Sequence, residues 1–322
     1  MIDFRYHVVS LVSVFLALAV GIVLGAGPLN EGISTGITDQ VRQLTEEKEQ
    51  LRTERDEALA VGEAQDAWAE AVAPAVVERL LGGRAVAVVE LPGADSSAAD
   101  AAVEVLQQAG ATVSARVTVQ EEWTVETQEQ ERADLAAELV PQLATGDEAA
   151  AVGTDPQVVL ATALARSLVT ADLAQTVVAD PTRTALLTTL ADAGLVEVDV
   201  QAEQRATLVL LVAGAADPDA SDERSEAAAA AWEALAGRFD DLAAGAVVAG
   251  PTEAAAAEAA VAVVRSDDEL AEQVSTVDDL DTAIGRVNAV LALREQLAGR
   301  AGHYGTASTA TSVSPPLPAA AP

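Results

Sequence analysis

The sequence predicts an α/β protein with an N-terminal transmembrane helix, a coiled-coil stalk, and then a mostly parallel sheet flanked by helices. An uncharged apolar run opens the chain, and a charged segment with heptad spacing follows it. From residue 82, nearly unbroken Val, Ala and Leu runs alternate with helical periodicity. We expect a transmembrane anchor at residues 1–28, a stalk at 29–81, an extracytoplasmic α/β domain at 82–303 and a disordered tail at 304–322.

The first segment has the length of a membrane anchor. Residues 8–27 are uncharged and, at about 1.5 Å per residue, extend about 30 Å, enough to cross a hydrocarbon core. A cleaved signal peptide is the alternative, but the apolar run is long for one. We expect a single-pass signal-anchor in the cell membrane, with a cytoplasmic N-terminus. Ala17, Gly21 and Gly25 share one helical face and predict a transmembrane dimer, although small residues are common in such helices.

The stalk is dense in Glu, Gln, Arg and Lys. Steps of four and three between its apolar residues indicate a heptad seam, typical of a short coiled coil or of a helix that docks on a partner. The seam residues are Ile37, Val41, Leu44 and Leu51. Because Lys48 and Arg55 interrupt the seam, we expect a homodimer only if the membrane helix and the body contribute to it.

The body is predicted from continuous apolar runs separated by helical ones. A strand at 84–91, a helix at 97–109 and a strand at 111–119 form a βαβ unit. Further strands are expected at 195–200, 207–213, 246–249 and 261–264, with helices at 182–193, 221–242 and 252–260. Strands without polar alternation are buried on both faces, which favours a parallel sheet.

Composition and motifs argue against several functions. The net charge of −33 repels a phosphate backbone, so nucleic acid is not an expected partner. The chain has no cysteine for thiolate sites, and its turns lack the glycine spacing of a P-loop or a dinucleotide loop, so no nucleotide is expected. With two distant histidines and no Gly-x-Ser-x-Gly elbow, we expect neither an enzyme nor a cofactor.

Four residues are candidate metal ligands. Asp278, Asp279 and Asp281 could hold a hard cation, but they precede a predicted helix that ends near residue 297, and the favoured interpretation is that they cap it. His303 could bind a metal or a partner, although an exposed histidine is the commoner explanation.

Three blocks carry a resemblance to a known family. They are MIDFRYHVVSLVSVFLALAVGIVLGAG at residues 1–27, GRAVAVVELPGADSSAADAAVEVLQQAGATVSARVTV at 83–119, and STVDDLDTAIGRVNAVLALREQLAGRAGHYGT at 275–306. The chain resembles the actinobacterial copper transporter MctB family, and SteB-like envelope proteins resemble it too. The resemblance implies a role in copper efflux or homeostasis across the cell envelope.

The residues and the resemblance point to different functions. Copper prefers thiolate, thioether and imidazole ligands, and the chain offers no Cys, one Met and two His. The alternative is a non-catalytic dimeric scaffold that partners envelope proteins. The SteB-like resemblance implies septal cell-wall hydrolysis proteins as such partners.

Overall fold

The computed structural model describes residues 4–25, 29–143, 153–174, 181–201 and 204–317, with the backbone alone for 29–38 and for residue 201. The chain divides into two compact units, Met1–Gln65 and Asp66–Pro322.

Unit 1 contains helix α1, Phe4–Gly25, and most of helix α2, Leu29–Val77. Among the described residues, α1 is the helix whose length and composition suffice to cross a membrane. Val41, Leu44 and Leu51 of the predicted seam are exposed on α2, and the side chain of Ile37 lies outside the described part of the chain. The coiled coil therefore stays a prediction.

Unit 2 is built on a seven-stranded sheet with the order β3-β2-β1-β4-β5-β6-β7. The strands are β1 Ala85–Glu90, β2 Thr112–Val119, β3 Val196–Gln201, β4 Leu208–Val212, β5 Ala246–Ala249, β6 Ser275–Val277 and β7 His303–Tyr304. All neighbours pair in parallel except β2 and β3. The predicted mostly parallel sheet is confirmed.

Helices cover both faces of this sheet. Helix α3, Ser96–Gln108, connects β1 to β2 and completes the predicted βαβ unit, with Asp95 accepting a hydrogen bond from the Ser97 amide as its N-cap. Leu106 of α3, Leu293 of α10 (Ala283–Gln296) and Val77 at the end of α2 pack on one face. The helices on the other face are α4 Glu129–Leu143, α5 Pro156–Leu168, α6 Pro181–Asp192, α7 Asp222–Leu242, α8 Ala260–Ser266 and α9 Asp268–Gln273.

Two predicted elements are wrong. Residues 261–264 are not a strand but lie in α8, where Val261 and Val264 are buried against the core. A short apolar run fits either period, and only its packing decides between them. The helix predicted at 252–260 is a single 3₁₀ turn, Thr252–Ala255, because the chain then reverses through Glu258, whose φ of 68° is left-handed.

The segment predicted as a disordered tail is instead folded onto the body as far as residue 317. Strand β7 includes Tyr304, the Thr311 amide donates to the His303 carbonyl at 2.8 Å, and Asn288 donates to the Val313 carbonyl at 2.9 Å. These hydrogen bonds compensate for the weak core-forming composition of this segment. The body also begins earlier than predicted, at Asp66, within the last turns of α2.

Candidate functional site

The predicted metal candidates lie at the edge strand β7 and at its neighbour β6. Residues 278–281, here called the acidic loop, follow β6, and His303 begins β7. Thr276 pairs with His303, and Val277 pairs with Tyr304, in a parallel register. The sheet therefore brings together the STVDDLDT and HYGT parts of the third sequence block.

Asp278 forms a buried ion pair with Arg265 of α8. The guanidinium lies 2.8 Å from Asp278 Oδ2, and the two side chains are 4% and 0% exposed. Asp278 Oδ1 also accepts from the amides of Thr306 at 2.7 Å and Ala307 at 2.9 Å. Arg265 donates further to the Tyr304 carbonyl at 3.0 Å. Asp278 thus holds the C-terminal segment on the body through Oδ1, while Oδ2 is paired with the charge of Arg265.

The aspartates of the acidic loop do not cap α10, which corrects the favoured sequence interpretation. Thr282 is the N-cap, and its hydroxyl accepts from the Gly285 amide at 3.0 Å. Asp279 is buried directly below this turn, since a side chain at position 285 would overlap the Asp279 carbonyl. Burial raises the pKa of Asp279 to about 6, with the Asp278 and Asp281 carboxylates adding to the rise.

His303 is bound to the same network. Its Nδ1 lies 2.9 Å from the Thr276 hydroxyl, which also accepts from Arg265 at 2.8 Å. Burial, and then the charge of Arg265, lower the pKa of His303, so the neutral ring is favoured. Across the described ranges, no three His, Asp or Glu side chains are grouped so that they could hold a metal ion. The four candidates are neighbours but do not converge as ligands.

The C-terminal turns of α2, which belong to unit 2, contact the start of α10 through a hydrogen bond and an ion pair. Asp66 accepts from the Ala283 amide at 2.5 Å, and Arg286 lies 3.3 Å from Glu70. Neither these two contacts nor the role of Arg265 was predicted from the sequence. The sequence did contain a signal for Arg265: a single arginine directly after the apolar run 259–264 indicates a charge close to the core. No local pattern indicates contacts that span more than two hundred residues.

A second candidate site lies at the carboxyl ends of β1 and β4, where strand order reverses and where such folds bind ligands. This switch-point crevice encloses about 280 Å³. The turn that follows β1 and the turn that follows β4 approach so closely that a side chain at Gly214 would overlap the Gly93 carbonyl. Arg224 lies 3.7 Å from Glu121 and 3.8 Å from Asp217. Glu258 also lines the crevice, so its acidic side chains outnumber its basic one.

Comparison with known proteins shows which family the chain resembles. The family described as "Copper transport outer membrane protein, MctB" matches residues 1–315. Proteins called copper transporter MctB from Mycobacterium tuberculosis and Mycobacterium bovis are each 33% identical over 323 residues, which cover 97% of this chain and 99% of theirs. The relative of the same name from Mycobacterium leprae is 30% identical over 327 residues, which cover 98% of this chain and 100% of its own.

Proposed function

We propose, from the premise that the chain belongs to the MctB family, that it is a membrane-anchored cell-envelope protein with a role in copper efflux or homeostasis. The family match over residues 1–315 carries this proposal. It includes α1, whose 22 residues form the proposed anchor. We further propose that the N-terminus is cytoplasmic and that unit 2 lies outside the cytoplasm.

The contacts of the candidate ligands favour an indirect or assembly-level role for the body. A copper ion at Asp278 would have to displace Arg265 and two amides, and one at His303 Nδ1 would have to displace the Thr276 hydroxyl. Each displacement leaves a buried polar group without its partner, which costs about 1–3 kcal/mol. We therefore propose that copper is bound or moved by an assembly of proteins, and that the anchor keeps this chain in the membrane as one member of it.

The experiment compares two forms of the chain in a host strain that lacks the gene. The full chain is expected to lower cell-associated copper, measured by mass spectrometry, and to stay in the membrane on carbonate extraction. Residues 29–322 exported with a cleavable signal peptide are expected to be soluble and to leave cell copper unchanged. Equal copper levels with both forms would disprove the need for an anchor, and no effect of the full chain would disprove the copper role.

A dimeric scaffold for envelope or septal cell-wall hydrolysis proteins is the second candidate, and the exposed seam favours it. Val41, Leu44 and Leu51 are 56%, 64% and 65% exposed. Apolar side chains at heptad positions are buried when a second helix packs on them. We propose that a second copy of the chain supplies this helix, with Ala17, Gly21 and Gly25 as the dimer contact inside the membrane.

Replacing Gly21 and Gly25 together with Ile is expected to weaken the dimer by about 1–2 kcal/mol in a membrane association assay. In the single chain, nothing lies within 4 Å of a side chain added at either glycine, so the loss would come from the partner helix. Ala19→Ile places a branched side chain on the opposite face and serves as the control. Unchanged association in the double variant, or equal loss in the control, would remove this face from the dimer.

A further inference from the structure

Four arginines line one cavity of unit 2, a concentration that contrasts with the rest of the chain. Arg79 and Arg84 come from the turn between α2 and β1, and Arg294 and Arg300 come from the end of α10 and the turn after it. The cavity encloses about 520 Å³. We call it the arginine cavity. The whole chain has only 18 basic residues against 51 acidic ones, so this grouping is not what a uniformly acidic surface would produce.

Acidic side chains neutralise only part of this charge. Glu295, the acid that lines the cavity, is buried and accepts from the Tyr304 hydroxyl with Oε2 and from Arg300 with Oε1 at 3.2 Å. Arg79 lies 3.8 Å from Glu78, but both side chains are largely exposed, and such a pair contributes little. Within the described part of the chain, Arg84 and Arg294 make no ion pair or side-chain hydrogen bond. Two half-buried arginines that line the cavity therefore lack a counter-charge.

The backbone that carries Arg79 is held in an uncommon conformation. Its φ of 61° is left-handed, which costs about 1–2 kcal/mol for a residue with a side chain. The turn is fixed by its surroundings, since the Gly82 amide donates to the Arg79 carbonyl at 3.2 Å and the Leu81 amide donates to the Ala109 carbonyl at 3.0 Å. Strain that is held in place by its surroundings is a feature of binding sites.

We propose that the arginine cavity binds a phosphate group that carries more than one negative charge. Planar guanidinium groups bind phosphate oxygens in pairs, and several converging arginines favour a ligand that presents several acceptor oxygens and more than one negative charge. The cavity volume falls within the range of small-molecule sites and exceeds the needs of a single ion. The ligand is therefore a phosphate ester, supplied either by a soluble metabolite or by a lipid headgroup. This site does not depend on the copper role.

The test titrates the full chain in uncharged detergent with inorganic pyrophosphate by calorimetry. Arg84→Gln and Arg294→Gln are each expected to weaken binding at least about tenfold, the loss typical of a hydrogen bond to a charged group. Arg238→Gln is the matched control, because Arg238 is paired with Asp241 at 2.7 Å on α7, away from the cavity, and its affinity should match the wild type.

A second measurement does not require the variants to fold. Pyrophosphate should raise the Tm of the wild-type chain, by an amount that grows with the logarithm of its concentration relative to its Kd, because a ligand that binds only the folded state stabilises it. Soluble dihexanoyl phosphatidic acid, tested in parallel, identifies the source: tighter binding than pyrophosphate assigns a lipid headgroup, and weaker binding assigns a soluble ester. Absence of heat and of a Tm shift with both probes, or equal weakening by Arg238→Gln, would overturn the proposal.

Discussion

Arg265→Met is expected to destabilise unit 2 by about 3–5 kcal/mol, because it leaves the Asp278 carboxylate buried without its counter-charge. The ion pair is 2.8 Å long, and neither side chain is more than 4% exposed. Arg265 also donates to the hydroxyls of Thr276 and Thr309, so the truncation removes hydrogen bonds from two further segments. Urea unfolding of the full chain in detergent, followed by tryptophan fluorescence, would measure the loss, because Trp123 and Trp232 are buried in the core of unit 2.

Two further variants decide whether the ion pair is responsible. Arg238→Met breaks the surface pair with Asp241, whose side chain is 48% exposed, and should change stability by less than about 1 kcal/mol. Combining Arg265→Met with Asp278→Asn should cost less than the sum of the single changes, because the two residues share one interaction. Strict additivity, or an Arg265 effect no larger than the Arg238 effect, would contradict the assignment.

Asp279→Asn is expected to stabilise the protein above pH 6 by at most about 3 kcal/mol, the free energy that corresponds to a pKa raised from 3.8 to about 6. The folded state keeps this proton up to about pH 6, whereas the unfolded state releases it near pH 4. The folded state therefore binds more protons between these values, and its stability falls as the pH rises through that window. The penalty is complete above pH 6 and absent below about pH 4.

Urea unfolding at pH 4 and pH 7.5 would test this difference. The variant and the wild type should be nearly equal at pH 4, and the variant should be the more stable at pH 7.5. Asp240, whose pKa burial also raises to about 6, contributes equally to both proteins and cancels. Asp192→Asn is the control, because Asp192 is exposed at the end of α6 and does not act on the pKa of Asp279. A variant less stable than the wild type at pH 7.5 would show that the charged form of Asp279 contributes a favourable contact.

Elements with local signals were predictable from the sequence. The apolar helix α1 and the β1–α3–β2 unit are each specified by a contiguous pattern longer than ten residues. β6 and β7, with three and two residues, are too short to show a pattern. They are strands only because each pairs with a neighbour in the sheet. The C-terminal segment was missed for the same reason, since its order depends on Asp278, Asn288 and His303 rather than on its own composition.

The sequence predicted which residues belong to the candidate site but not how they are arranged in space. The sequence identified Asp278, Asp279, Asp281 and His303 as unusual, and it also showed that thiolate ligands are absent from the chain. It could not show that Asp278 meets Arg265 or that Thr282 takes the capping position. A carboxylate next to a helix start has several possible partners, and burial against one of them selects the outcome.

By itself the sequence determined the uncharged opening helix, the strongly acidic charge and the doubly buried strands, because each follows from the types and spacing of neighbouring residues. The tertiary structure alone decided the strand order, the partner of Asp278 and the convergence of Arg79 and Arg84 with Arg294 and Arg300. These features join segments separated by up to about two hundred residues. Such contacts form only when burial of the whole core outweighs the entropy of closing the chain between them, and no local pattern encodes that balance.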